Sequence, residues 1–255
     1  MGSRSGRRWM AEAAASLSPL PFAGRTGAGL TIAVIDSGVH PEHPHIDAGR
    51  LLPGVVVLAD GGIETGTEAV LDRLGHGTAV TAAIQEKAPE ALCLPVRVFR
   101  EALKTSATAL VAAIRWSIGN GADIVNLSLG SVNMAHRAAF SAVADEALAA
   151  GVVLVAARDA DGVPCYPGAL PQVIGVALDW ECPRERFGAC GAGGFSASGY
   201  PRPIPGVPPR RNLNGISFAV AQMSGFAALA AEASGRDPGR ADAVRRALLR
   251  EAGGC

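Results

Sequence analysis

The sequence predicts an α/β fold: three layers, with a mostly parallel β-sheet covered by helices on both faces. Three observations carry this. Short apolar runs alternate along the chain with longer segments of helical spacing. The runs are continuous rather than alternating, as strands buried on both faces require. The 255 residues are 49% hydrophobic and 18% charged, the balance of a packed globule rather than a disordered chain.

Taken in order, Leu30 to Ile35 is a continuous apolar run ending in Asp36-Ser37-Gly38, so it reads as a buried strand entering a turn. Residues 77–86 read as a helix and Leu92 to Phe99 as a second buried strand. Residues 106–119 place Leu110, Val111, Ile114 and Ile118 at helical spacing, and Gly119-Asn120-Gly121 stops that helix. Ala122 to Leu127 is a third strand. Ala135 to Leu148 is a helix closed by Gly151, and Val152 to Ala157 and Val173 to Ala177 are further strands. Residues 217–233 form a small-residue helix and 240–250 an amphipathic one. The Pro-rich stretch from Tyr200 to Pro209 has no period and reads as a loop. No linker divides the chain, so residues 25–255 read as one domain. In such sheets reactive residues gather beyond the carboxyl ends of the strands, and Asp36 follows the first strand directly.

Residues 1–24 read as an N-terminal extension. Arg4, Arg7 and Arg8 precede a mild apolar stretch that Glu12 and two prolines interrupt, which makes a poor signal peptide; Met1-Gly2-Ser3 is compatible with a cloning scar. A cytoplasmic protein is expected on this ground, or a secreted one if such a segment has been removed. No apolar run is long enough to span a bilayer. Lys+Arg is 23 and Asp+Glu is 23, which argues against nucleic acid or an acidic membrane as the main partner. Five cysteines make no disulfide framework. Cys93 reads as a core residue. Cys182 and Cys190 are close enough to close a small loop, although free thiols in a reducing compartment is the simpler expectation.

Three segments carry chemistry: Asp36-Ser37-Gly38-Val39 with His43-Pro44 behind it, Gly75-His76-Gly77-Thr78, and Asn214-Gly215-Ile216-Ser217-Phe218-Ala219. Singly each has an ordinary explanation, such as a turn cap, a loop histidine or a helix N-cap. Jointly their order of Asp, His and Ser is one of the known chain orders of a nucleophilic triad. On these motifs the chain resembles the subtilase family of serine proteases, from about Gly29 to about Gly225. Gly121 to Gly130 (GADIVNLSLG) is similar to the family's substrate-strand segment. The resemblance implies a subtilisin-like fold and a peptide or protein substrate. It makes Ser217 the nucleophile, His76 the general base and acid, and Asp36 the group that orients the imidazole. It also implies that Ser128, Leu129 and Gly130 pair with an extended peptide as an added strand. Gly77 and Gly215 fit positions of close backbone approach or unusual dihedrals. His43-Pro44 is structural on the same comparison. His40, His43 and His45 match no standard zinc spacing, and no dense carboxylate cluster demands the calcium that some subtilases bind. No metal and no cofactor are therefore expected. Oligomeric state is not legible.

The sequence departs from the family at several places. Ala160 stands at the position of the usual oxyanion-hole asparagine, with Asp159 at the preceding glycine. An alanine side chain donates no hydrogen bond, and losing one such donor costs roughly a hundred- to a thousandfold in rate. Ile216 replaces a threonine, Val220-Ala221-Gln222 replaces Thr-Pro-His, and Ala79 replaces a second histidine. Three readings follow. One is a specialised serine endopeptidase, for instance one that matures a peptide precursor, with Arg158, Asn212 or Asn214 supplying the lost donor. Another is an impaired homologue that binds peptide or protein without cutting it. The last is an acyl transferase or macrocyclase of peptide natural-product biosynthesis, a reaction some subtilase relatives perform.

Overall fold

The structure, a computed structural model, describes residues 20–66 and 70–253. Most of the expected N-terminal extension, residues 1–19, lies outside the described residues.

Nine strands form one sheet: β1 (Thr31–Asp36), β2 (Val55–Val57), β3 (Ile63–Thr65), β4 (Leu92–Arg97), β5 (Ile124–Leu127), β6 (Val153–Ala157), β9 (Ile174–Leu178), β10 (Phe187–Cys190) and β11 (Gly194–Ala197). Their order is β10-β11-β9-β6-β5-β1-β4-β2-β3. The interior pairs are all parallel, and antiparallel pairs occur only at the two edges, β10–β11 and β2–β3. A two-stranded hairpin, β7 (Asp159–Ala160) with β8 (Val163–Pro164), stands apart from the sheet.

Among the described residues five α-helices cover the faces: α1 (His76–Lys87), α2 (Ala107–Gly119), α3 (Arg137–Ala149), α4 (Ile216–Ala231) and α5 (Arg240–Glu251). Strand β1 shows why both faces must be covered. Ile32 and Val34 enter one core with Ile84, Phe218, Met223 and Val244 from α1, α4 and α5. Ala33 and Ile35 enter the other with Leu110, Ile114, Phe140 and Val143 from α2 and α3. Each such aliphatic side chain contributes about 1.5–3 kcal/mol when fully buried, so a one-sided sheet would forfeit half of this. Ser106 caps α2, its hydroxyl accepting from Ala109 N at 2.9 Å. Among the described residues no helix is long and apolar enough to cross a membrane.

The interior strands and all five helices lie where the sequence predicts them, within a residue or two at most ends. The sequence reading lacks β2, β3, β10 and β11. These edge strands are three or four residues long, and β10 and β11 are built partly from glycine and alanine, so they offer no apolar run. The cysteine expectation also needs correction. Cys190 is a free thiol that accepts a hydrogen bond from Arg158 Nη1 at 3.4 Å, so the small Cys182–Cys190 loop is not closed. Cys182 is disulfide-bonded, so a uniformly reduced chain does not hold either. Cys93 is wholly buried, as expected, and burial pushes its thiol up to about 12.

The register fixes where chemistry can occur. Ile35 lies beside Leu127, and Leu127 beside Ala156, so β1, β5 and β6 end at a common carboxyl edge. Asp36, Ser128 and the 158–163 segment leave the sheet there.

Candidate active site

Asp36 ends β1 with no exposure to solvent. Its Oδ1 accepts from the Ser37 backbone N–H at 2.7 Å and stands 2.7 Å from His76 Nδ1. Its Oδ2 is buried without a partner among the described residues. The carboxylate therefore relies on the imidazole as its principal hydrogen-bonding side chain. The His76 ring is raised above its ordinary value. Burial alone pushes it down, but the hydrogen bond that the ring donates to Asp36, the charge of Asp36 and the charge of Asp72 together outweigh that.

Asp72 holds the two segments in place, and the sequence reading did not single it out. Its Oδ1 accepts from Ser37 Oγ, Leu74 N and Gly75 N, each at 2.9 Å. Its Oδ2 accepts from Thr78 N at 2.8 Å and Thr78 Oγ1 at 2.7 Å. One carboxylate thus satisfies N–H groups at the start of α1, where the helix leaves donors unpaired, and ties them to the residue after Asp36. Ser37 Oγ in turn accepts from Gly77 N at 2.8 Å. The signal was present: an aspartate a few residues ahead of a helix start is a capping pattern. Gly77 is required by close approach, since a Cβ there would lie 2.2 Å from the Gly38 carbonyl oxygen.

Ser217 is the second residue of α4. Gly215, just before that helix, has φ of 138°, a conformation that side chains rarely adopt, and its N–H donates to Gly199 O at 2.9 Å. The helix has no side-chain cap; the Phe218 N–H donates to Gly215 O at 3.1 Å, and among the described residues the Ile216 and Ser217 N–H groups have no hydrogen-bond partner. Ser217 Oγ donates to the Ser128 carbonyl at 3.1 Å, and among the described residues no hydrogen bond joins it to His76. The neighbouring Phe218 ring lies 5.6 Å from the His76 ring, centroid to centroid, so the two segments are adjacent. Asn126 and Ser224 support the Ser128 segment from beneath. Asn126 Nδ2 donates to Ser128 Oγ at 2.9 Å and its Oδ1 accepts from Ser224 Oγ at 3.0 Å, all three buried. Nothing in the motif reading pointed to this pair. Ser128 itself is buried, Leu129 half-buried and Gly130 exposed, and Ser131 is bridged to Tyr166 by two 2.8 Å backbone bonds.

Ala160 is exposed at the tip of the β7–β8 hairpin. The three candidate replacement donors are engaged elsewhere. Arg158 Nη1 donates to the Gly191 carbonyl and to Cys190 Sγ. Asn212 Nδ2 donates to Arg202 O at 3.5 Å, and Asn214 Nδ2 to Asn212 O at 3.1 Å. Each of these bonds uses one N–H and leaves at least one further N–H donor on the same side chain. Around His43, His43 Nδ1 accepts from His45 N at 3.1 Å, a local turn. Among the described residues no three His, Cys, Asp or Glu side chains are grouped to hold a metal ion.

A doubly covered parallel sheet that gathers a buried carboxylate–imidazole pair and a helix-start serine at one edge defines a subtilisin-like α/β protein. A family model described as the subtilase family matches residues 27–177, more than half of the chain, and the chain belongs to this family of serine proteases. It is similar to subtilisin DY of Bacillus licheniformis, 28% identical over 229 residues that cover 81% of this chain and 78% of that protein. It spans about half the length of some other relatives that it matches, 56% for subtilisin E of Bacillus subtilis. Among solved structures, a cold-adapted subtilisin-like serine proteinase superposes with a TM-score of 0.68 at 21% identity, covering 89% of this chain and 84% of that one. A lanthipeptide protease superposes with a TM-score of 0.64 at 19% identity, covering 87% and 80%. These two likenesses concern the fold.

Proposed function

We propose that the protein is a serine endopeptidase specialised for maturing a peptide precursor. The observation that carries this is the buried 2.7 Å bond between Asp36 and His76 beside a serine at a helix start. Asp36 holds the Nδ1–H tautomer and leaves Nε2 free to accept a proton. The Ser217 hydroxyl turns from the Ser128 carbonyl toward Nε2, gives up its proton, and its oxygen bonds to the scissile carbonyl carbon. The imidazolium then passes the proton to the leaving amine as the C–N bond breaks, which leaves an acyl-enzyme. Water repeats the sequence and frees the acid. The outward N–H groups at the start of α4 stabilise the oxyanion, without help from a side chain at 160. Ser128 to Gly130 pairs with the acyl part of the peptide as an added strand.

The likeness to a lanthipeptide protease supports a peptide precursor as substrate. A disulfide at Cys182 fits the secreted alternative of the sequence reading. The test is incubation with a defined peptide set in the presence and absence of an added amine, with products read by mass. Hydrolysed fragments that vanish in Ser217→Ala support the endopeptidase. Products joined to the amine place the chain among acyl transferases. Peptide binding without product would make it a non-catalytic module.

A further inference from the structure

A cavity of about 280 Å³ lies beside the site, and Ser128, Leu129 and Gly130 are not among its lining residues. Its walls come from both sides of the reacting groups. Gly75, Thr78 and Ala79 flank His76, and Asn212 and Leu213 precede Ser217. Ala79 leaves the space open where a larger side chain would fill it. The chemistry of the wall is one-sided. Arg73 and Arg202 line it, along with His40, His43 and His45. The carboxylate in the wall, Asp72, is 7% exposed and has both oxygens occupied by the bonds described above. Arg73 is exposed and forms no ion pair among the described residues. Arg202 donates to the His45 carbonyl at 3.2 Å and likewise meets no carboxylate. Burial lowers His45, with Arg202 and His43 acting in the same sense and Glu86 opposing them; burial likewise lowers Arg97, with Arg73 and Arg100 in the same sense and Asp72 opposing. On the far side of the 201–212 loop a second pocket shares Pro201 and Asn212 and adds the exposed Arg210.

We propose that this cavity binds a carboxylate on the leaving segment of the substrate, and that Arg202 and Arg73 set a preference for an acidic residue at the first or second position after the cut. This rests on the endopeptidase reading. If the acyl part of the peptide lies along Ser128–Gly130, chain beyond the scissile bond passes Ser217 toward Leu213 and Ala79. There two unpaired guanidinium groups offer charge-assisted, fork-shaped recognition that carboxylates satisfy and amides or ammonium groups do not. An Asp or Glu side chain and a free C-terminus close after the cut offer the same carboxylate chemistry, and the side chain is the source assigned here.

The test has two arms. In the first, a mixed peptide library is digested and the cut bonds are read by mass spectrometry. Aspartate and glutamate should be enriched about tenfold over lysine after the cut. The enrichment should disappear or invert in Arg202→Glu and shrink in Arg73→Glu, whose side chain holds no structural bond. Uniform cutting, or an acidic preference unchanged in both variants, overturns the proposal. Enrichment only of sites one or two residues from a free C-terminus, abolished by C-terminal amidation, overturns the side-chain assignment. In the second arm, Ser217→Ala is titrated with fluorescent peptides that differ only in Asp or Lys after the cut site. Tighter binding of the Asp peptide, lost in the added Arg202→Glu change, supports the proposal, and equal binding overturns it. This arm needs no turnover. Failure of the endopeptidase reading shows instead as an unlabelled Ser217 under a fluorophosphonate.

Discussion

The two halves of the site are built differently. The Asp36–His76 half is buried and cross-tied, with Asp72 and Ser37 binding the end of β1 to the start of α1 through a chain of 2.7–2.9 Å bonds. The Ser217 half is looser. Its hydroxyl rests on a backbone carbonyl, the helix start has no side-chain cap, and the expected donor position is an exposed alanine on a two-residue strand. The difference teaches where the site is pinned: the carboxylate–imidazole pair is fixed by its own hydrogen bonds, while the serine hydroxyl is bonded to a backbone carbonyl instead of that pair and position 160 carries no side-chain donor. On the function proposed above, binding energy from a particular substrate would supply what a fixed donor gives, and a slow or narrowly selective protease is the expected result.

The comparison is broken most severely by removing the tied half. Asp36→Asn should leave the fold intact and lower kcat by about 10⁴-fold, since the imidazole is then free to take the wrong tautomer; a loss under tenfold, read by steady-state kinetics with a folded protein, would mean that the buried pair is structural. Repairing the loose half should act in the opposite direction. Ala160→Asn should raise kcat by up to about a hundredfold if its amide reaches the oxyanion. An unchanged kcat would show that the backbone donors already suffice or that the hairpin lies out of reach.

The next effect is on pH dependence. His76 must be neutral to accept the serine proton, and its environment holds it above 6.5. Activity should therefore be present above that raised value and be lost as the pH falls through it, with the acid limb of kcat/KM centred above 6.5. A limb centred below 6.5 would contradict the balance of burial against the two aspartates. The smallest effect belongs to Asp72→Asn. It should shift the acid limb to lower pH by removing one of those charges, and cost about 1–3 kcal/mol of stability by leaving buried donors unsatisfied, measurable by denaturant unfolding. A stability loss with no shift of the limb would confine Asp72 to a structural part.

How much of this was legible in the sequence follows the same division. The interior strands announce themselves as runs such as Thr-Ile-Ala-Val-Ile because burial on both faces permits only apolar side chains. The strands missing from the sequence reading, β2, β3, β10 and β11, are only three or four residues long, too short to show a period, and β3 and β10 have one free edge. Asp36, His76 and Ser217 stand in segments whose order and glycine neighbours are distinctive, and Gly77 and Gly215 are glycines for reasons the coordinates make explicit. Asp72 was legible as a helix-start cap, whereas Asn126 and Ser224 were not legible as a pair, because they lie 98 residues apart in the chain. Arg158, Asn212 and Asn214 were plausible donors by position, yet which carbonyl a flexible donor meets is decided by packing that no local pattern records.

The account's central claim is that Asp36 and His76 activate Ser217. The most direct measurement is the rate at which a fluorophosphonate labels the protein as a function of pH, with the modified residue located by mass spectrometry, in the wild type and in His76→Ala. The account predicts a single label on Ser217, formed faster as the pH rises through a midpoint above 6.5 and nearly abolished in the variant. No label on the folded protein, or labelling equal in rate without His76, would contradict it.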